Sequence, residues 1–404
     1  MVKKTRRWLV VCAVIGAALS AALALPVSAQ DGGDARAITA GTLALTADDL
    51  PVFIVTTLDK IADARMDVMN LVTCVTPDCQ QRDVRVLGNT GGPTSDPVIA
   101  LTPEGYPQIS FFYFEDNVLG MLICTDLRCA DPFYAAIDKS EEPTPFQIGR
   151  NPALAFTAAG DPVLSYYAYQ ALRLAVCADP LCEAAATREI DDPLPGGFPV
   201  IDQTTALVLD AQDAPYIAYY HGGDDNLKLA VCDTLDCANP SIVTVDETPG
   251  AGKYAALALT PAGHPVIAYE TERELRLALC MDALCEQDIK IVTLDTDAIL
   301  TQRVPLLIGP DGDPVVVYAT GGPPHIEMAI CNDTACSDPE VVVVDEGPYA
   351  GNYYLAAALD SAGNPVIFHL NPQFDDGYQL IRCTDPLCEN PSVTVLGKEI
   401  KNAP

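Results

Sequence analysis

Leu277-Ala-Leu-Cys-Met-Asp-Ala-Leu-Cys-Glu-Gln-Asp-Ile-Lys-Ile-Val-Thr-Leu294 reads as a strand, a tight loop closed by two cysteines, and a second strand. The device recurs seven times, at Cys74/Cys79, Cys124/Cys129, Cys177/Cys182, Cys232/Cys237, Cys280/Cys285, Cys331/Cys336 and Cys383/Cys388. Successive first cysteines stand 50, 53, 55, 48, 51 and 52 residues apart. A fixed period of this size marks a repeat architecture.

Working outward from the quoted stretch gives one whole unit. Ala256–Leu259 reads as strand one and Thr260–Pro265 as a turn. Pro265–Tyr269 reads as strand two, Leu275–Cys280 as strand three and Ile289–Leu294 as strand four. Strand three alternates Leu275, Leu277 and Leu279 with Arg276 and Ala278, the period of a half-buried strand. The first turn repeats without gaps as Thr46–Pro51, Thr102–Pro107, Thr157–Pro162, Asp210–Pro215, Gly309–Pro314 and Asp360–Pro365. Four short strands repeated seven times at this period predict an all-β fold, a seven-bladed β-propeller of four antiparallel strands per blade. Residues 41–397 carry the seven units and 398–404 form a tail. No separate catalytic domain fits, so any activity must be mounted on the ring.

The chain has 404 residues, 49% hydrophobic and 19% charged, with a net charge of −32. Such a chain is soluble and self-repelling, so a monomer is expected, and nucleic acid and anionic membranes are poor partners. Residues 1–29 read as a secretion signal. Lys3, Lys4, Arg6 and Arg7 form its basic start, Trp8 to Leu25 its apolar core, and Pro26–Ala29 a small-x-small cleavage site. An uncleaved anchor is the rival reading, and Thr5-Arg6-Arg7 hints at a twin-arginine signal. Cleavage removes four basic residues and no acidic ones, leaving 19 against 55, a charge of −36. Residues 30–40 are a polar leader.

Cys12 lies in the signal, and the other 14 cysteines are the seven pairs with none left over. An even set in an exported chain predicts disulfides within each repeat. Metal sites would need thiols from different repeats, since the protein has only four histidines. Two places after the first cysteine stands Asp126, Asp179, Asp282, Asp333 or Asp385, with Thr76 and Thr234 in the remaining units. A short acceptor there holds a turn through backbone N–H groups. No cofactor is expected. Calcium is the weaker alternative, suggested by Asp311-Gly-Asp313 and the charge, without EF-hand spacing.

Strand one, a Gly-x-Pro turn, a strand two ending in Tyr and an Asp-bearing loop together resemble the blades of secreted sialidase-type propellers with Asp-box (BNR) repeats. The resemblance covers all seven units and is one of architecture. The box itself, Ser-x-Asp-x-Gly-x-Thr-Trp, is not present, and the cysteine pair occupies its place. Sialidase activity is therefore not carried over with the fold.

Loop lengths point to a face. From turn proline to first cysteine the spacing varies as 23, 17, 15, 17, 15, 17 and 18 residues. From second cysteine to the next turn proline it varies as 28, 33, 33, 28, 29 and 29. In a propeller both connections lie on one face, which is where a binding surface on a rigid scaffold belongs. That face should carry Arg150, Tyr219, Tyr220, His221, Lys253, Tyr254, Tyr269, Glu270, Glu272, Arg303, Tyr353 and His369, with Phe374–Asp376 and Tyr378. The ligand-binding candidates are Arg150, Tyr219, His221, Lys253, Tyr254, Tyr269, Glu270, Arg303 and Tyr353, aromatic platforms beside charges that suit a glycan or a protein. The bland reading is that strand-two tyrosines pack between blades. There is no Gly-x-Ser-x-Gly, His-Glu-x-x-His or phosphate loop. The expectation is a secreted binding protein. The alternative is a carbohydrate-active, sialidase-like hydrolase or lyase with its site in the central funnel.

Overall fold

The computed structural model describes residues 43–61, 64–89, 97–113, 116–139, 148–168, 171–192, 204–272, 274–299, 304–320, 325–347, 355–371 and 377–397. The expected signal, leader and tail lie outside them, as does the whole of the separately grouped Met1–Asp34. Among the described residues no helix is long and apolar enough to cross a membrane.

The quoted unit folds as read. Its strands are Lys253–Leu259, Pro265–Thr271, Glu274–Leu279 and Lys290–Asp295, in one antiparallel sheet with strand order one to four. Seven such sheets cover 43–89, 98–139, 148–191, 205–246, 253–295, 298–345 and 355–397, blades 1 to 7. In blade 6 the first position is filled by two short pieces, Ala298–Ile299 and Leu306–Ile308, both paired with Pro314–Thr320. First strands of neighbouring blades touch all the way round, and blade 7 meets blade 1. The ring closes without strand exchange among the described residues, because Leu43–Leu45 pairs within its own blade.

Packing explains why the middle strands are apolar throughout. Seven separate apolar clusters fill the seven seams between adjacent blades. A middle strand is covered on both sides, so Ala278 is as buried as Leu277. This corrects the half-buried reading of strand three, where only Arg276 and Glu274 keep partial exposure. Alternation survives in strand four at the rim, where Val341, Val343, Val393 and Val395 face outward.

All seven predicted disulfides are present: Cys74–Cys79, Cys124–Cys129, Cys177–Cys182, Cys232–Cys237, Cys280–Cys285, Cys331–Cys336 and Cys383–Cys388. Their Cα–Cα separations run from 4.6 to 4.9 Å. Each second cysteine has a left-handed φ between 47° and 56°. Such a conformation costs about 1–2 kcal/mol in a non-glycine residue, and the bond holds it. Within the turn, Cys129, Cys182 and Cys388 donate their N–H groups to the carbonyls of Asp126, Asp179 and Asp385 at 3.0, 2.9 and 3.1 Å.

Closing a loop is the whole role that spacing assigns to these cysteines, and the structure adds a second one. The sulfurs fill the seam with the preceding blade. Cys280 and Cys285 pack with Leu257 and Ile267 between blades 4 and 5. Cys129 is buried with Ile54 and Leu71 between blades 1 and 2, and Cys182 with Met121 and Ile123 between blades 2 and 3. Cys388 is buried with Val317 and Met328 between blades 6 and 7. The site of each pair is thus part of the apolar core and not only of a surface turn, because the loop folds back against its neighbour. The turn role of the loop acceptors is also seen. Asp282 accepts from the N–H groups of Leu284 and Gln287, and Asp126 from those of Arg128 and Ala130.

The constant length of the first turn has a structural cause. In five of the seven seams the left-handed residue of one turn abuts the turn of the blade before it. Asp213 accepts from Ala158 N–H at 2.9 Å, and Asp49 from Ser361 N–H at 2.8 Å. Gly160, Gly312 and Gly363 lie against Pro103, Pro261 and Pro310. A Cβ on Gly363 would sit 2.5 Å from Pro310 Cγ, whereas one on Gly263 meets nothing within 4 Å. Both glycines have φ near 80°. Gly263→Ala should therefore cost about 1 kcal/mol from backbone strain alone. Gly363→Ala should cost about 1–3 kcal/mol more, because a rigid proline ring must move. Urea unfolding of both variants checks the difference.

Candidate functional site

Strand two of each blade starts at the turn proline on the constant face and rises to the variable face. Its fifth residue is Val55, Phe111, Tyr166, Tyr219, Tyr269, Tyr318 or His369 in blades 1 to 7. The residue that reaches this height from the previous blade is the first paired residue of strand four after its bulge. It is Gly88, Asp138, Asp191, Asp246, Asp295, Asp345 or Gly397. Residue type matches across every seam: a carboxylate meets Tyr or His, and a glycine meets Phe or Val.

The match is a latch. Tyr166, Tyr219 and Tyr269 donate to Asp138, Asp191 and Asp246 at 2.6, 2.5 and 2.6 Å. His369 Nε2 lies 3.3 Å from Asp345. Tyr318 instead donates to Glu327 of its own strand three at 2.8 Å, and His325 Nε2 reaches the other oxygen of Glu327 at 2.9 Å. Tyr166, Tyr219, Tyr269 and His369 are 0% exposed. Burial, and then the bond to a carboxylate, pushes the Tyr219 and Tyr269 hydroxyls far above the ordinary phenol range. In blades 3 and 5 an arginine directly across strand three, Arg173 or Arg276, adds a second contact of 3.0 Å to the same carboxylate. Burial pushes Asp246 up, but bonds from Tyr269, Thr248 and Arg276 outweigh it and hold the carboxyl below its usual range. The imidazole of His369 likewise holds Asp345 low.

Above the latches, the seam between blades 4 and 5 gathers Lys253, Tyr254, Tyr269 and Glu270 of the expected residues. Tyr269 lies inside it and Tyr219 inside the seam between blades 3 and 4, so their rings support the surface and do not form it. Tyr220 donates to Asp225 at 2.5 Å, and Gly250 N–H donates to the same oxygen at 3.0 Å. This ties the strand two–three hairpin of blade 4 to the connection into blade 5. His221, also buried, accepts the Asp224 N–H on Nδ1 at 2.9 Å, with Nε2 at 3.7 Å from Asp191. Lys228 pairs with Asp224. Lys253 sits across from Glu270 in register, with Nζ 6.0 Å above the Tyr220 ring. Tyr254 is half-buried, with φ 52°. Lys253 follows Gly252, whose Cβ would press on the Leu227 backbone at 3.0 Å.

Arg150 occupies the place of Lys253 in blade 3, at the seam with blade 2 and two seams away from this group. It follows Gly149, is buried, and lies 5.3 Å over Phe112 of blade 2. His369 and Tyr378 are buried in the seams of blade 7. Arg303, Tyr353 and Phe374–Asp376 lie outside the described residues. Sequence reading passed over Asp191, Asp246, Asp224 and Asp225. The signal for the first two was available: an Asp closes strand four in five units, at Asp138, Asp191, Asp246, Asp295 and Asp345. Among the described residues, no three His, Cys, Asp or Glu side chains gather as metal ligands would. A hollow of about 200 Å³ lies elsewhere, between strands three and four of blade 3 and the Cys232–Cys237 loop.

No protein-family model matches the sequence, and no curated protein does. Solved structures do match. A puromycin hydrolase is similar at 13% identity over 89% of this chain, with a TM-score of 0.54, and this chain spans 53% of its length. An α-L-arabinanase of Penicillium chrysogenum, solved with arabinobiose, is 12% identical over 73% of this chain and 93% of its own, with a TM-score of 0.47. The NanB sialidase of Streptococcus pneumoniae is 9% identical over 82% of this chain and 64% of its own, with a TM-score of 0.44. At these identities the likeness is one of fold alone.

Proposed function

We infer that this chain is an extracytoplasmic binding protein that recognises a glycan or a protein on its variable face. The observation that supports this reading is the contrast between the two faces. On the constant face, the turns in five of the seven seams and the cysteine pairs are taken up by seam contacts. On the other, the Tyr220–Asp225–Gly250 bonds fix two variable connections into a rigid platform carrying Lys253, Tyr254, Glu270 and Asp224. Preorganised loops bind without the cost of ordering them. Seven disulfides suit an oxidising compartment. The tyrosine–carboxylate pairs of blades 3, 4 and 5 are closed into seams, which favours structural latches over a hydrolytic centre.

The test is a glycan and protein array probed with residues 30–404, followed by titration of any hit. Lys253→Ala should weaken binding about tenfold or more, as for a central contact. Lys290→Ala, on the opposite side beside Ser337, should leave it unchanged. No binder on either array, or a binder lost with Lys290 and indifferent to Lys253, overturns the reading.

A further inference from the structure

Strand four of blade 3, Ala185–Asp191, is the outer edge of its sheet. Among the described residues it pairs with Ala171–Cys177 alone. Every second residue of such a strand turns its N–H and C=O outward, where another strand can take them. Four consecutive residues, Ala186–Glu189, are exposed. In blades 6 and 7 the place of Arg188 is held by Val342 and Thr394, which are half-buried.

The exposure has a cause. Behind Ala186 lies the hollow of about 200 Å³, walled by Leu174, Val176, Arg188, Leu235 and Asp236. Ala186 stands opposite Val176, the residue before the first cysteine. The same register position is Asp83, Phe133, Ser241, Lys290, Glu340 or Ser392 in the other blades. Two of these side chains cross to the cysteine turn of the next blade. Asp83 pairs with Arg128 at 2.9 Å, and Lys290 donates to Ser337 Oγ at 3.3 Å. Alanine has no atoms to reach so far, and the gap stays open. Arg188 donates to the Asp236 carbonyl at 2.7 Å, which draws the cation off the strand edge and onto the loop.

The hollow is large enough for a side chain. An apolar cavity of about 150 Å³ accepts benzene, so leucine, phenylalanine or tyrosine fits here. A strand laid beside Ala185–Asp191 would turn alternate side chains to the face that carries Ala186 and Arg188. One of them would stand over the hollow. Charge decides whose strand it is. A second copy carries the same net charge of −32 and is repelled. Asp233 on the loop and Glu189 on the strand are both exposed and favour a basic partner.

We propose that the outer edge of blade 3 binds an extended segment of another protein as a fifth strand, with one large apolar side chain in the hollow and lysine or arginine beside it. Backbone bonds give such a site its affinity, and the single pocket gives it selectivity. The surface lies on the rim and does not depend on the reading of the variable face.

A randomised eight-residue peptide library displayed on phage, selected against the oxidised chain of residues 30–404, tests it. Recovered peptides should share an apolar residue with basic flanks. Ala186→Phe and Ala186→Lys should each weaken their binding roughly tenfold or more. The chain itself uses Phe133 and Lys290 at this position, so both variants should fold. Bound peptide should protect amides of Ala185–Asp191 from hydrogen exchange and leave those of Ser241–Asp246 in blade 4 unchanged. No recovered peptide, or peptides indifferent to both Ala186 variants, overturns the proposal. Peptides that protect Tyr220–Asn226 in place of the blade 3 strand support the variable-face reading and overturn this one. A dimer of the chain alone that Ala186→Phe dissolves assigns the edge to a second copy, and overturns it too.

Discussion

Reduction of the seven disulfides at neutral pH, with no denaturant, is expected to unfold the ring. A loop this short gives about 2 kcal/mol per bond in the chain-entropy model, so seven give about 15 kcal/mol. The whole stability of a folded protein is about 5–15 kcal/mol. Two further effects point the same way. Every second cysteine, Cys129, Cys182 and Cys388 among them, is held in a left-handed conformation that a free residue leaves readily. Every pair also fills part of a seam: Cys74, Cys79, Cys129, Cys285 and Cys336 are at most 1% exposed. Far-ultraviolet circular dichroism with and without a phosphine reductant reads the result. Retention of the β signal and of a cooperative melt after complete reduction would contradict it. A single pair is milder. Cys280→Ala with Cys285→Ala should cost about 2–4 kcal/mol. Glycine in place of alanine at 285 should recover part of that, because it accepts the φ of 55° without strain.

The second large effect is at a latch. Asp246 is 5% exposed and receives bonds from Tyr269, Arg276 and the Thr248 N–H. Asp246→Ala leaves a buried hydroxyl without its acceptor and takes from the half-buried Arg276 guanidinium one partner of three, Glu274 and Thr248 remaining. The expected loss is about 3–5 kcal/mol, that of breaking a buried pair. Tyr269→Phe removes a donor only and should cost about 1–2 kcal/mol. The double variant should cost less than the two added together, since the residues share one bond. Equal, small losses from both single variants would show that the seam is held by its apolar residues alone.

The same carboxylates set the acid limit. Asp246 and Asp345 both titrate below their ordinary range in the folded chain. A depressed carboxylate binds its proton more readily when unfolded, so protonation favours the unfolded state. Their contribution is thus complete above the unfolded value near 3.9 and is lost as pH falls through the lower folded values. Melting temperature should hold steady at neutral pH and drop steeply below about pH 4. In Asp246→Ala that drop should be shallower.

The repeat was legible because it is written in covalent spacing. Two cysteines separated by four residues, and a proline at a fixed offset, survive any packing and can be counted. From them came seven blades, the strand limits of the unit around Cys280 and the pairing of all 14 sulfurs. The loop Asp residues were legible too, since their bonds are to their own turn. What lay beyond the sequence was every relation across a seam. Cys129, Cys182 and Cys388 read as loop closures along the chain, yet each also fills a gap against the blade before it. Tyr219 and Tyr269 look like ligand platforms, yet their partners Asp191 and Asp246 belong to the previous blade. Strand three looks half-buried by its alternation, but a blade has a neighbour on both sides. Local geometry is fixed by neighbours in the chain, and so composition and spacing decide it. Burial and partnership at a seam depend on where the ring brings residues 23 to 28 positions apart, and only the closed tertiary structure sets that.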